Sequence, residues 1–181
     1  MRPLKATINH QALLSNLNHI KKIANKSKIM SVLKANAYGH SLLDVAKTLK
    51  ASDGFAVLSI SEAIQLRENN FKQTVLLLEG FFDKEEVKIA SELSINVTVH
   101  NHRQIELINQ VKPISPINIH LKINTGMNRL GFMPGEINYL LESLNSNPYI
   151  QDIILMTHFS TADEKEGIEK QLGIFNLIAD N

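Results

Sequence analysis

Lys34 closes a short apolar run, Ile29 to Leu33, and is followed by Ala35-Asn36-Ala37-Tyr38-Gly39-His40. The run reads as a buried strand, the small residues as a loop, and the pattern from about Ser41 as a helix. A lysine at a strand's carboxyl end stands where α/β folds gather ligands and chemistry. An uncharged amine there is both a nucleophile and a base. At an ordinary lysine pKa of ~10.4, about one amine in 2,500 is neutral at pH 7, equivalent to ~4.6 kcal/mol. Partial burial beside other cations lowers that cost. From this stretch alone, a solvated surface charge fits Lys34 equally well.

Other reactive side chains fall at the ends of later apolar runs. They are Glu79, His100, Lys122 leading into Thr125-Gly126-Met127-Asn128-Arg129, and the pair Thr157-His158. Loops are polar for ordinary reasons, and that plain explanation suits Glu79 and His100 better than a site does. His10, His19, His40, His102 and His120 show no metal-ligand spacing, so no metal site is expected.

The elements that must position these residues alternate along the chain. Leu4 to Ile8 is a candidate first strand, and Asn9 an N-cap for a helix carrying Leu13, Leu17, Ile20 and Ala24. Strands are expected at 28–33, 55–58, 74–78, 95–99, 117–123 and 150–156. Helices follow, opened near Ser41, Ser61, Asp83, Asn101, Pro134 and Gly167. Six strand–helix units with short connections predict a parallel sheet with right-handed crossovers. A doubly wound sheet would carry a glycine-rich phosphate turn after its first strand, and Lys-Ala-Asn-Ala-Tyr-Gly is not that pattern. The α/β class expected is therefore an incomplete (β/α)8 TIM-type barrel, with two of its eight units missing.

Bulk properties exclude several function classes. The 181 residues suffice for a domain with a core. A net charge of +1 makes no electrostatic case for nucleic acid or an anionic membrane. Cysteine is absent, which removes disulfides, thiolate chemistry and cysteine-type zinc sites. No apolar run approaches the ~20 residues of a membrane span, and the opening Met1-Arg2-Pro3-Leu4 lacks a signal-peptide core. A cytoplasmic protein is the expectation.

Three longer motifs carry a family resemblance. Val32-Leu-Lys-Ala-Asn-Ala-Tyr-Gly-His40 resembles the pyridoxal phosphate lysine motif of alanine racemases. Leu121-Lys-Ile-Asn-Thr-Gly-Met-Asn-Arg-Leu-Gly-Phe132 resembles their second signature, and Met156-Thr-His-Phe-Ser-Thr-Ala-Asp-Glu164 their third. The motifs occur in the family's order, and Ala6-Thr-Ile-Asn9 followed by Ala12-Leu13 is similar to its start. The resemblance implies a pyridoxal 5'-phosphate enzyme interconverting L- and D-alanine, with D-alanine serving the bacterial cell wall. It makes Lys34 the covalent anchor of the cofactor and one of two bases at the substrate Cα. Tyr38 would bind the cofactor phosphate, Arg129 the phenolic oxygen and the substrate carboxylate, and His158 would pack on the pyridine ring. Lys122, often carbamylated in relatives, would position Arg129.

The same resemblance makes residues 1–181 the N-terminal part of a barrel domain, with residues 1–9 a strand pairing with an absent C-terminal β domain. Family members work as homodimers and draw a second base, a tyrosine, from that domain of the partner subunit. A chain of this length alone is expected to be inactive. Asn124 stands where many relatives have aspartate, and Ser41 where many have glycine; neither is a family catalytic position. The competing expectations are a non-enzymatic pyridoxal phosphate-binding barrel protein and a racemase of another amino acid.

Overall fold

The computed structural model describes residues 4–180, which fall into two compact units divided between Leu76 and Leu77. The first unit contains α1 (His10–Ala24), β1 (Met30–Val32), a helical turn α2 (Lys34–Gly39), α3 (Leu42–Thr48), β2 (Gly54–Val57), α4 (Ile60–Glu68) and β3 (Thr74–Leu77). Asn9 caps α1 as expected, its side chain accepting from the Ala12 N–H at 3.0 Å. β1 and β2 pair in parallel, with Met30 opposite Gly54 and Val32 opposite Ala56. All four residues of β2 are buried, the pattern of a parallel strand covered on both faces. Phe55 lies at its centre and meets Phe71 edge to face, ring centroids 5.7 Å apart. Leu42, Val45, Ala46, Ala63 and Leu66 supply the buried helix faces.

Four expectations for this unit need correction. Leu4–Ile8 forms no strand, and Met1–Pro3 lie outside the described residues. A lone strand has no ladder partner to satisfy its backbone. β1 is not buried: Val32 is 41% exposed, because β1 has one strand neighbour in this unit. Ser59, not Ser61, caps α4, through a capping box with Glu62. Ser59-Ile-Ser-Glu62 carries that signature in the sequence, with Ser61 inside the helix.

The fourth correction concerns 35–39, which is no irregular loop. Ala35, Asn36, Ala37 and Tyr38 have φ between 52° and 55° and ψ between 36° and 52°, one turn of left-handed helix. Each such non-glycine residue costs about 1–2 kcal/mol, so the turn stores roughly 4–8 kcal/mol that its surroundings must offset. Asparagine tolerates the conformation, whereas Ala35, Ala37 and Tyr38 bear the full Cβ clash. Ser41, at φ 75°, is a further strained residue. Glycine at that position would be relaxed.

The second unit contains α5 (Lys84–Glu92), β4 (Asn96–Val99), α6 (His102–Val111), β5 (Ile117–Lys122), a 3-10 turn (Pro134–Glu136), α7 (Ile137–Asn145), β6 (Ile150–Met156) and α8 (Glu169–Ala179). Asp83 and Asn101 cap α5 and α6, as their sequence positions predict. The strands run β4-β5-β6, all parallel, with Val99 opposite Leu121 and Leu121 opposite Leu155. That register brings the carboxyl ends of the three strands level. Ile117, Ile119 and Leu121 alternate into a core with Val97, Val99, Ile108, Ile137 and Leu144, while Asn118 and His120 occupy the other face of β5.

Candidate functional site

In the first unit, Leu33 fixes where the lysine begins. Its side chain is buried, and its N–H donates to the Ala56 carbonyl of β2 at 2.7 Å. Lys34 follows, half-buried, and Nζ lies 6.0 Å from the centroid of the Tyr38 ring. Tyr38 is itself 59% exposed, which keeps its phenol accessible. The left-handed turn brings the two side chains to one side. Its bonds are the Ala37 N–H to the Leu33 carbonyl (2.8 Å), the Leu42 N–H to Asn36 Oδ1 (2.8 Å), and His40 Nδ1 with the Ala37 carbonyl (2.8 Å). The His40 N–H also donates to the Ala37 carbonyl (3.1 Å), and one bond reaches another element: the Asn36 N–H donates to Glu62 Oε1 at 2.8 Å. Among the described residues no carboxylate pairs with Lys34.

In the second unit, Lys122, Arg129 and His158 line one shallow concavity together with Thr125 and Thr157. Lys122 is the last residue of β5 and only 7% exposed, so its stem is packed into the protein. Arg129 sits exposed on the loop after β5, with no ion pair among the described residues. That loop is tied down at both ends. Phe132 returns to β5, donating to the Lys122 carbonyl and accepting from the Asn124 N–H, each at 2.9 Å. Gly131, at φ 116°, makes the return possible; a Cβ there would meet the Lys122 carbonyl oxygen at 2.9 Å. Asn124 organises the other end. Its Oδ1 accepts from the Gly126 and Asn128 N–H groups at 3.1 and 3.0 Å, and its Nδ2 donates to Asn128 Oδ1 at 3.0 Å. The amide therefore has a structural use for its donor that an aspartate would lack.

Thr157 and His158 follow β6. Thr157 Oγ1 donates to the Ile123 carbonyl at 2.9 Å and lies 2.7 Å from Thr125 Oγ1. Gln171, buried on α8, holds the next residues: Nε2 donates to the His158 carbonyl (3.0 Å) and Oε1 accepts from the Ser160 N–H (2.9 Å). No sequence signal pointed to Gln171, because nothing local distinguishes a buried glutamine from an exposed one.

The His100 ring and the Glu79 main chain are tied into the scaffold. The Glu79 carbonyl accepts from His100 Nε2 at 3.1 Å and from Gln104 Nε2 at 2.9 Å. The His100 pKa lies below the usual imidazole value, first because burial disfavours its charge and also because Lys122 repels it, against the opposing pull of the Glu79 carbonyl. His120 is likewise lowered by burial, and lies 3.3 Å from the Asn96 amide. Among the described residues no three metal-ligating side chains converge, and no helix is long and apolar enough to cross a membrane.

In each unit, parallel strands alternating with helices define an α/β barrel-type protein. Comparison with known proteins narrows that class. A family model described as "Alanine racemase, N-terminal domain" matches residues 8–181. The alanine racemase of Nitrosospira multiformis is 43% identical over 98% of this chain and 51% of its own length. That of Nitrosomonas europaea is 46% identical over 96% of this chain and 49% of its own. The crystal structure of the biosynthetic alanine racemase from Pseudomonas aeruginosa superposes with a TM-score of 0.94 at 35% identity, covering 99% of this chain and 51% of that one. The chain belongs to the alanine racemase N-terminal domain family. It spans about half the length of the curated relatives it matches, and its six strand–helix units correspond to the barrel portion of those enzymes.

Proposed function

We propose that this chain is the cofactor-binding barrel portion of a pyridoxal 5'-phosphate-dependent alanine racemase, acting at full length as a cytoplasmic homodimer that supplies D-alanine for peptidoglycan. The observation that carries the proposal is the placement of Lys34: a half-buried amine without a carboxylate partner among the described residues, at the end of β1, on a strained turn that also presents Tyr38. Strain of this kind persists where the surroundings enforce it, and it concentrates at functional sites.

The residues present suit a phosphorylated aldehyde with an aromatic ring. Lys34 supplies an amine, Tyr38 an accessible phenol for phosphate oxygens, Arg129 an exposed guanidinium and His158 a flat ring. Bound pyridoxal phosphate would supply the electron sink that makes an amino acid's Cα proton removable. The protein's part is to orient and to move protons. Lys34 Nζ would take the Cα proton from one face or return it there. A second base is needed on the opposite face, and the homodimer reading assigns it to a tyrosine outside this chain. Arg129 would hold the substrate carboxylate bidentately, and Lys122, packed beneath the loop, would set where Arg129 stands. Residues 1–9 would complete the domain by pairing with a strand outside the barrel.

Borohydride trapping tests the assignment. The protein at its native length, loaded with pyridoxal phosphate, reduced and digested, should carry the label on the Lys34 peptide. In Lys34→Ala the label and the cofactor's visible absorbance should vanish, and alanine racemisation with them. Label on another lysine refutes the site. Label on Lys34 without racemisation of alanine moves the assignment to a binding protein or to another amino acid.

A further inference from the structure

The left-handed turn that carries Lys34 packs through buried Ala37, and one side chain supplies its hydrogen bond to the rest of the first unit. Between residues 35 and 40, the hydrogen bonds to partners outside residues 33–42 reduce, among the described residues, to the Asn36 N–H donating to Glu62 Oε1 at 2.8 Å. The other carboxylate oxygen, Oε2, accepts from the Leu58 N–H at 3.1 Å and the Ser59 N–H at 3.3 Å. Ser59 Oγ completes the capping box by accepting from the Glu62 N–H at 3.3 Å. Capping explains the bonds to Oε2. It does not explain the bond to Asn36, which lies 26 residues away in sequence.

We infer that Glu62 is a positioning residue for Lys34: its carboxylate clasps the strained turn to the entry of α4 and so holds the amine where the cofactor must meet it. The inference rests on the cofactor reading of Lys34 given above. A helix cap alone is served as well by glutamine as by glutamate, but the clasp is not. A glutamine amide has one acceptor oxygen, and two N–H groups face one side of the Glu62 carboxylate while a single N–H faces the other. The amide oxygen in Glu62→Gln turns to the two, keeping the cap. Its NH2 then faces the Asn36 N–H, donor against donor. The turn loses its external tether while α4 keeps its cap. Ser59→Ala is the complementary change, because it removes the Oγ half of the cap and leaves the Asn36 bond in place.

Two measurements on the protein at its native length separate clasp from cap. The first is amide hydrogen exchange of the apo protein over residues 34–40. The second is the rate at which Lys34 becomes borohydride-trappable after mixing with pyridoxal phosphate. Glu62→Gln should raise exchange at Asn36 to Tyr38 at least tenfold and slow trapping at Lys34 at least fivefold. Ser59→Ala should do neither, even where it lowers the melting temperature more. Unchanged exchange in Glu62→Gln overturns the clasp. Faster exchange with unchanged trapping overturns the positioning role, and equal slowing in Ser59→Ala assigns the effect to helix capping. If Glu62→Gln folds poorly, Glu62→Ala, which places no donor against Asn36, is held to the same exchange and trapping criteria. Absence of Lys34 label in the unsubstituted protein refutes the cofactor reading instead, and the exchange arm still decides whether the clasp exists.

Discussion

Gln171→Leu is the sharpest test of how the second unit holds its site residues. The substitution keeps the size of a side chain that is 6% exposed and removes both its polar ends. The Ser160 N–H loses its acceptor at 2.9 Å and the His158 carbonyl its donor at 3.0 Å. A buried group left without a partner costs about 1–3 kcal/mol. Ser160 is half-buried and takes the middle of that range, about 2 kcal/mol. His158 is exposed, so water replaces most of its lost bond and the cost there is about 1 kcal/mol. A better-hydrated glutamine exchanged for leucine in a dry position returns about 1 kcal/mol. The net expectation is a loss of about 2 kcal/mol, read as a lower urea midpoint at unchanged slope. Hydrogen exchange at 158–161 should rise in the same variant. A loss under ~0.5 kcal/mol, or exchange unchanged in that segment, would show that Gln171 merely fills space.

Acidification should weaken the fold between about pH 7 and pH 5. The His100 and His120 pKa values are both lowered in the folded state, by burial first and at His100 also by Lys122. The unfolded chain therefore binds more protons in this window, and stability falls as pH drops through the ordinary imidazole value. Urea midpoints across that range, with His120→Gln flattening part of the slope, check the sign; a flat or rising profile toward pH 5 contradicts it. Gly131→Ala should destabilise by about 2–4 kcal/mol, because φ 116° and a Cβ 2.9 Å from the Lys122 carbonyl oxygen leave no relaxed placement. If that variant keeps the parent midpoint, the return of Phe132 onto β5 is not what closes the loop.

The sequence alone carries the order of strands and helices from α1 onward and the motifs that hold the proposed site residues. Each strand from Met30 to Met156 was visible as an apolar run, and Asn9, Asp83 and Asn101 announced their helices, because such caps act within three residues of their partners. Lys34, Tyr38, Lys122, Arg129 and His158 were named from contiguous motifs whose family the comparisons bear out. What required the tertiary structure is all that depends on partners distant in the chain. The handedness of the turn after Lys34 is set against local preference: Ala and Tyr have no reason of their own to adopt φ near 53°. The hydrogen bond that reaches it from another element comes from a carboxylate on α4, 26 residues away. Gln171 and Gly131 are likewise ordinary letters until α8 meets the Thr157–Ser160 segment and Phe132 returns to β5. Local rules place strands and caps because their energetics are local. A strained turn or a buried amide is decided by groups that only folding brings within 3 Å.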